Sequence, residues 1–361
     1  MPDSTPRETE LKLEVARADL DRLRSHPLLQ ALGSPRRMVS AYYDTPDLKL
    51  HGAGLSLRVR QAGAKRVQTL KTAPEGAGLL VRGEWESPLM GEGLDLAAVA
   101  DTPLGDLLRQ DEISAALAPR FSVEVERATS LVSRDGSEIE LTIDDGVVQA
   151  DGRRADLTEV EFELKAGETR ALFDAARELF DAAPLRLSSR SKGEAGYELL
   201  QETPSARAGD PKLTRAMTSA KALQAIGRAC LAHFLKNERR VRETGAPEAV
   251  HQARVGLRRL RAAMSVFKSL LVDLESQRLK VGLKQLADAL GQVRDLDVLI
   301  VGLAELEVAA PFDRDRLIEG LRVRRAEALA AAVSILQAPE SARLAFDVSR
   351  SEEHTSELQS H

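Results

Sequence analysis

The sequence predicts an α+β protein of two domains: an antiparallel, mainly β domain with flanking helices in front, and an α-helical bundle behind it. Three observations carry this reading. Segments 8–15, 55–60, 67–71, 81–86, 121–127, 138–144 and 159–165 alternate residue character with period two, as half-covered strands do. Past Leu200 the chain turns rich in Pro, Gly, Ala and Ser, and beyond that stretch apolar residues recur at threes and fours, the helical period. Length agrees, since 361 residues exceed the usual size of a single core.

In chain order, turn residues at 47–54, 61–65, 73–78 and Asp145–Gly146 separate the front strands, and helical patterns interrupt at 18–32, 104–117 and 168–182. The first domain therefore spans 1–203, with a linker at 204–213. Helices follow at 219–241, 276–303 and 316–336, and Val250, Ala253, Leu257, Leu260, Met264, Phe267 and Leu271 form the apolar seam of another. The helical domain spans 214–348. Residues 349–361 break the preceding composition and read as a non-native tail, excluded from fold reasoning.

Composition narrows the function. No run of about 18 apolar residues occurs, and the polar start lacks an apolar signal core, so the expectation is a cytoplasmic protein with no membrane partner. The net charge of −5 hides an asymmetry: counted along the sequence, 1–204 carries roughly −10 and 205–348 roughly +7. Aromatic residues are only 3%, too few for an interleaved stacking platform, so nucleic acid is not expected as a partner. The single cysteine, Cys230, lies in an apolar helical pattern and reads as a buried structural thiol.

The front strands carry unusual charge on one face. Alternate side chains share a face, so Glu8, Glu10, Lys12 and Glu14 stand together, and about 150 residues later Glu159, Glu161, Glu163 and Lys165 repeat the pattern. Arg58 with Arg60, Lys71, Arg82 with Glu84 and Glu86, and Glu140 with Asp144 extend it. If such a sheet closes into a barrel, one set of alternate residues lines the interior. A charged interior is costly unless it is wet or holds a ligand of matching charge. Rows of bases beside rows of carboxylates suit a polyanion held with a divalent cation. Taken singly, each of these residues is more often a solvated charge; only the ordered set argues for a site. His26 and His51 lack a second ligand at metal spacing and read as surface residues, while Trp85 should face the barrel's packed side. In the second half, His251, Arg254, Arg258 and Arg261 step by 3, 4 and 3, a basic stripe within about 80° of arc beside the apolar seam.

The ordered series Glu8-x-Glu10-x-Lys12, Tyr43-Asp44-Thr45, Arg58-x-Arg60, Thr69-Leu70-Lys71, Arg82-x-Glu84-x-Glu86, Asp144 and Glu159-x-Glu161-x-Glu163 resembles the CYTH superfamily, the triphosphate tunnel metalloenzymes, over about residues 5–200. The resemblance implies an eight-stranded antiparallel barrel with a charged tunnel. It implies phosphate contacts from Lys12, Arg58, Arg60, Lys71, Arg82 and Arg127, with Arg190 and Lys192 as further candidates and Lys165 as a weaker one. Glu8, Glu10, Asp144, Glu161 and Glu163 would hold Mg²⁺ or Mn²⁺ or activate water, with Glu159 on the same face; Glu8, Glu10 and Lys12 form the catalytic set. The implied reaction is metal-dependent hydrolysis of inorganic triphosphate, a chemistry of charge neutralisation and positioning. Thiamine or nucleoside triphosphate hydrolysis, adenylate cyclisation and non-catalytic polyphosphate binding are the alternatives.

The segment from Val250 through Arg261, followed by Leu290-Gly-Gln-Val-Arg-Asp-Leu-Asp-Val298, resembles the CHAD family, a helical module found behind CYTH domains. That resemblance assigns His251, Arg254, Arg258, Arg261 and Arg294 to polyphosphate. Only the first half of such a module is expected here, since no second His- and Arg-bearing helix follows Phe346.

Overall fold

The computed structural model describes residues 7–73, 79–201, 205–211, 213–307 and 313–357. The expected turn at 73–78, the polar start, parts of the linker and the end of the tail fall wholly or partly outside them. The chain divides into two compact units, Met1–Thr203 and Pro204–His361.

The first unit is a closed antiparallel barrel of eight strands: β1 (Arg7–Val15), β2 (Arg36–Asp44), β3 (Leu55–Ala62), β4 (Lys65–Thr72), β5 (Leu79–Pro88), β6 (Ala118–Arg134), β7 (Ser137–Ala150) and β8 (Arg153–Ala166). The sheet runs β5-β4-β3-β2-β6-β7-β8-β1 and closes where β1 also pairs with β5. The first half of β1 meets β5 along one edge, and a three-residue strand, β9 (Leu185–Leu187), takes the rest of that edge at Leu13–Val15. Closure removes the free edges that a sheet of this size would otherwise expose.

Two tight hairpins set the long β6–β7–β8 meander. Asp135–Gly136 and Asp151–Gly152 all have positive φ (47°, 75°, 47° and 75°), the paired left-handed geometry that Asp-Gly favours and that matches strand twist. The third Asp-Gly of the region corrects the sequence reading. Asp145 and Gly146, expected as a turn, lie inside β7, paired with Glu126 and Val125 on β6 and with Thr158 and Leu157 on β8. The glycine serves a close approach instead: a Cβ on Gly146 would lie 2.0 Å from the Glu124 carbonyl oxygen.

The apolar core lies mostly outside the barrel. Leu11 and Leu13 of β1, Ile139, Leu141 and Ile143 of β7, and Val160 and Phe162 of β8 are buried. Their outward parity is opposite to that of the charged residues, and helix α5 (Thr169–Leu179) packs across these three strands. Two small helices, α3 (Pro103–Leu108) and α4 (Asp111–Ala116), cover the other side through Leu104 and Ile113, against Leu57, Leu70 and Trp85. Trp85 thus faces the packed side, as expected. The remaining short helices are α1 (Leu20–Arg24) and α2 (Lys49–Gly52).

One end of the interior is apolar. Tyr42, Phe121, Val123, Val125, Val148, Ala150 and Leu157 point inward there and are capped by Ala195 and Tyr197 of α6 (Lys192–Leu200). A Cβ on Gly196 would sit 2.0 Å from the Phe121 ring, so only glycine lets α6 seat this deeply. A reciprocal capping box between Ser191 and Glu194 starts the helix and fixes the direction of Lys192 beside it.

The second unit is helical: α7 (Ser219–Thr244), α8 (Pro247–Val266), α9 (Leu274–Glu305), α10 (Arg314–Gln337) and α11 (Pro339–Glu357). Thr218, Asp273 and Asp313 cap three of them through their side chains. The apolar seam of α8 is buried at Val250, Ala253, Leu257, Leu260 and Met264, and Gly256 lets α7 approach to contact at Phe234. Cys230 is buried in α7. The expected linker is partly fixed to this unit, because His233 and Asn237 both bond the Ala206 carbonyl at 3.0 Å. Helix α11 continues past residue 348, and Arg350 lies 2.5 Å from Glu275.

Candidate active site

Parity and register assemble the site. Across β1 and β8, Glu10 faces Glu163, Lys12 faces Glu161 and Glu14 faces Glu159. The next strands put Asp144 opposite Glu159, and Arg127 opposite Asp144. On the other edge, Glu8 stands opposite Arg82, Lys71 opposite Glu84, and Arg58 opposite both Thr69 and Tyr42. The interior holds a cavity of about 300 Å³ lined by Glu8, Glu10, Lys12, Arg58, Arg60, Lys71, Arg82, Arg127, Glu161, Glu163 and Lys192 among others.

Inside, charge separates into three groups. In the first, Asp144, Glu159 and Glu161 offer carboxylate oxygens that all lie within 4.8 Å of one another. Three cations hold them. Lys12 Nζ lies 2.6 Å from Glu161 Oε1 and 3.3 Å from Glu159 Oε1, and Arg127 grips both oxygens of Asp144, at 2.8 and 2.5 Å, and Glu161 at 3.0 Å. Lys192 donates to Glu161 at 2.7 Å and forms ion pairs with Asp144 at 2.8 Å and with Glu159. Burial alone would lower the Lys12 pKa, yet Glu159, Glu161 and Glu10 hold it well above the lysine range. Burial also opposes ionisation of Glu161, but Lys12, Lys192 and Arg127 keep it well below the usual carboxylate value. Glu159 moves the other way: burial raises it, and Lys12 and Lys192 only partly compensate. Adjacent carboxylates pushed in opposite directions are a common property of acid–base sites.

The second group is Glu8, Glu10, Lys71, Arg82 and Glu84. Arg82 reaches Glu8 at 2.8 Å and Glu10 at 2.7 Å, while Lys71 spans Glu8 at 2.7 Å and Glu84 at 2.9 Å. Burial works against the Glu8 charge, and Lys71 and Arg82 overcome it, lowering its pKa.

The third group is cationic. Arg58 is buried with its Nε unpartnered, and its nearest carboxylate, Glu84, is 3.8 Å away. Beside it, Arg60 is drawn down to about 10 by Arg58, burial and Arg127. Two crowded guanidiniums without strong carboxylate partners among the described residues leave this wall ready for an anion.

The structure thus brings Glu8, Glu10, Lys12, Arg58, Arg60, Lys71, Arg82, Arg127, Asp144, Glu161, Glu163 and Lys192 into one barrel interior. Arg190 is not brought there: it pairs with Glu198 at 2.6 Å and does not line the cavity. Glu163 pairs with Lys165 at 2.6 Å, apart from the three-carboxylate cluster. Glu159, read from sequence only as a residue of the same face, is a full member of that cluster. Glu14 accepts a 2.7 Å hydrogen bond from Ser188 beside β9. His51 corrects the sequence reading, for it lines the cavity with its ring stacked on Tyr197 at 4.0 Å. Its place follows from Asp44, which accepts bonds from the Leu50 and His51 amides and from the Tyr197 hydroxyl.

Carboxylates at this spacing are hard oxygen donors, and Asp144, Glu159 and Glu161 fit a hard divalent cation.

In the second unit, Arg254 of α8 lies over Gly291 of α9, whose Cβ would stand 3.5 Å from its Nε. Arg294 follows one turn later on α9, and His251, Arg261 and Arg294 are half-buried while Arg258 is exposed. Elsewhere in the unit two arginines pair with carboxylates at short distance, Arg325 with Asp297 at 2.6 Å and Arg242 with Glu238 at 2.7 Å.

The first unit is thus a closed barrel with bases and carboxylates sorted around one interior. The family model of the CYTH domain matches residues 6–197, and the chain belongs to that family. The CHAD domain model matches residues 225–356. An inorganic triphosphatase from Haemophilus influenzae is 34% identical over 166 residues, which is 44% of this chain and 45% of that protein. The chain therefore spans about half the length of that relative. Among solved structures, a Hippeastrum protein named for adenylyl cyclase and described with a dominant triphosphatase activity is 22% identical, covering 53% of this chain and 95% of its own, with a TM-score of 0.37. The CHAD domain of Ricinus communis is 29% identical, covering 44% of this chain and 53% of its own, with a TM-score of 0.40.

Proposed function

We propose that this chain hydrolyses inorganic triphosphate to pyrophosphate and phosphate inside the barrel, with Mg²⁺ or Mn²⁺, and that its helical unit binds polyphosphate through His251, Arg254, Arg258, Arg261 and Arg294. The observation that carries the first part is one cavity lined both by an under-neutralised pair, Arg58 and Arg60, and by Glu161, whose carboxylate lies within 4.8 Å of those of Asp144 and Glu159 behind it. A triphosphate chain needs cations along its length, and Arg58, Arg60, Lys71, Arg82, Lys12 and Lys192 supply them from several strands and α6. When bound, the metal supplies further neutralisation of phosphate oxygens and a more acidic water. Glu8 and Glu10 position Arg82, and the ionised Glu161 and Asp144 provide the acceptor side of the site. The name of the Haemophilus influenzae relative supports inorganic triphosphate as substrate.

The stacked His51–Tyr197 pair on the cavity wall favours a second reading, a triphosphate with an organic ring such as thiamine or a nucleoside. Phosphate release from inorganic triphosphate, thiamine triphosphate and ATP, with and without Mg²⁺, tests both. Metal-dependent release from inorganic triphosphate above the other two supports the first reading; faster release from a ring-bearing substrate supports the second. No release from any of the three overturns hydrolysis.

A further inference from the structure

Lys192 has a place in the cluster that its expected role as a phosphate ligand does not explain. Its ammonium donates a hydrogen bond to Glu161 and stands within ion-pair distance of Asp144 and Glu159, so it meets the same three carboxylates whose oxygens are close enough to share a metal ion. Lys12 reaches only Glu159 and Glu161, and Arg127 only Asp144 and Glu161. Lys192 alone of the three touches all of them.

The charges of this cluster balance, three carboxylates against Lys12, Lys192 and Arg127. A divalent cation entering by itself would add two positive charges to a buried, neutral group and meet an ammonium at its centre, an expensive arrangement at low dielectric. A triphosphate changes the balance. Lys192 also lines the cavity, and its four-carbon stem allows the head group to turn from the carboxylates to a phosphate oxygen. The capping box holds its backbone still meanwhile, so the motion is confined to the side chain.

We propose that Lys192 is a displaceable internal cation that occupies the centre of the Asp144–Glu159–Glu161 cluster in the free protein and yields it when triphosphate arrives, so that metal binds tightly only together with the anion. This rests on the triphosphate reading of the cavity.

The test is Mn²⁺ binding to the full chain, followed by calorimetry and by the Mn²⁺ paramagnetic resonance signal, with no phosphate compound present. Lys192→Met should bind Mn²⁺ at least ten-fold more tightly than the wild type, and Lys192→Gln, which keeps a polar head group, should do the same if the Met variant fails to fold. Arg60→Gln removes the same charge from the cavity away from the cluster and should gain much less. Equal Mn²⁺ affinity in wild type and Lys192 variants overturns the proposal, as does an equal gain in Arg60→Gln, which would assign the effect to net charge. Phosphate release from inorganic triphosphate by the wild type, measured in parallel, bears on the hydrolase reading alone, so the two can fail separately.

Discussion

Lys12 on β1 and Glu161 on β8 face each other across the barrel seam, with the ammonium 2.6 Å from the carboxylate and only 1% of the lysine side chain exposed. The pair joins the first and last barrel strands of the chain and fixes the β1–β8 register. Breaking a buried ion pair leaves its partner uncompensated, which costs more than the intact pair contributes. Lys12→Met should therefore lower stability to urea by about 3–5 kcal/mol. Combined with Glu161→Gln it should lose less than the sum of the single changes. Strict additivity would show that the two residues are not coupled.

Gly146 tests the fold without touching the charges. Its missing side chain admits the β6 backbone, since a Cβ would lie 2.0 Å from the Glu124 carbonyl oxygen and 2.7 Å from Val125 Cα. Gly146→Ala should destabilise the barrel by about 1–3 kcal/mol or more, as overpacking does. Gly91→Ala, where nothing lies within 4 Å, should fall within about 0.5 kcal/mol of the wild type in the same urea titration. Similar midpoints for the two variants would rule out the close approach.

Glu8 makes stability depend on pH. Burial raises its pKa, but Lys71 and Arg82 bring it below its ordinary value of 4.5. A carboxylate with a depressed folded pKa contributes stability that is complete above the unfolded value and is lost as pH falls through the folded one. The wild type should lose thermal stability from about pH 5 downward by linkage, and Glu8→Gln should start lower at pH 7 and decline less steeply below pH 5. Parallel Tm curves for the two proteins between pH 7 and pH 3 would contradict this assignment.

How much of this was legible depended on period and pairing. The charged face of β1 and β8 could be read because a strand's parity is fixed, and Glu8, Glu10, Lys12, Glu161 and Glu163 needed only barrel closure to meet. Strand β2 offered no comparable alternation, with Tyr42 and Tyr43 adjacent and a register shift between them. Asp145–Gly146 looked like a turn because the dipeptide carries that chemistry at 135–136 and 151–152; only the neighbouring strand reveals that Gly146 answers a steric demand. Helix α6 had a visible signal, the Ser191-x-x-Glu194 box, but its place inside the barrel end depends on Gly196 against Phe121. His51 carried no signal of its own, for its position is set by Asp44 through backbone bonds.

Arg60 and Arg82 separate substrate binding from scaffolding. Arg82 is tied to Glu8 and Glu10, so Arg82→Gln should leave those carboxylates poorly compensated and lower stability by about 3–5 kcal/mol, together with activity. Arg60 has no such tie among the described residues and is crowded by Arg58, whose charge is the largest cause of its lowered pKa of about 10. Arg60→Gln should therefore leave Tm unchanged or slightly raised, because a repulsion is removed. If Arg60 donates to a phosphate, losing that charged hydrogen bond should reduce kcat/KM for inorganic triphosphate by about 10- to 150-fold, the equivalent of roughly 1.5–3 kcal/mol. A rise in KM with kcat preserved would mark uniform binding, and an equal fall in kcat and kcat/KM would mark a contact made only in the transition state. Unchanged kinetics with a lowered Tm would assign Arg60 to the scaffold and move the anion away from the Arg58–Arg60 wall.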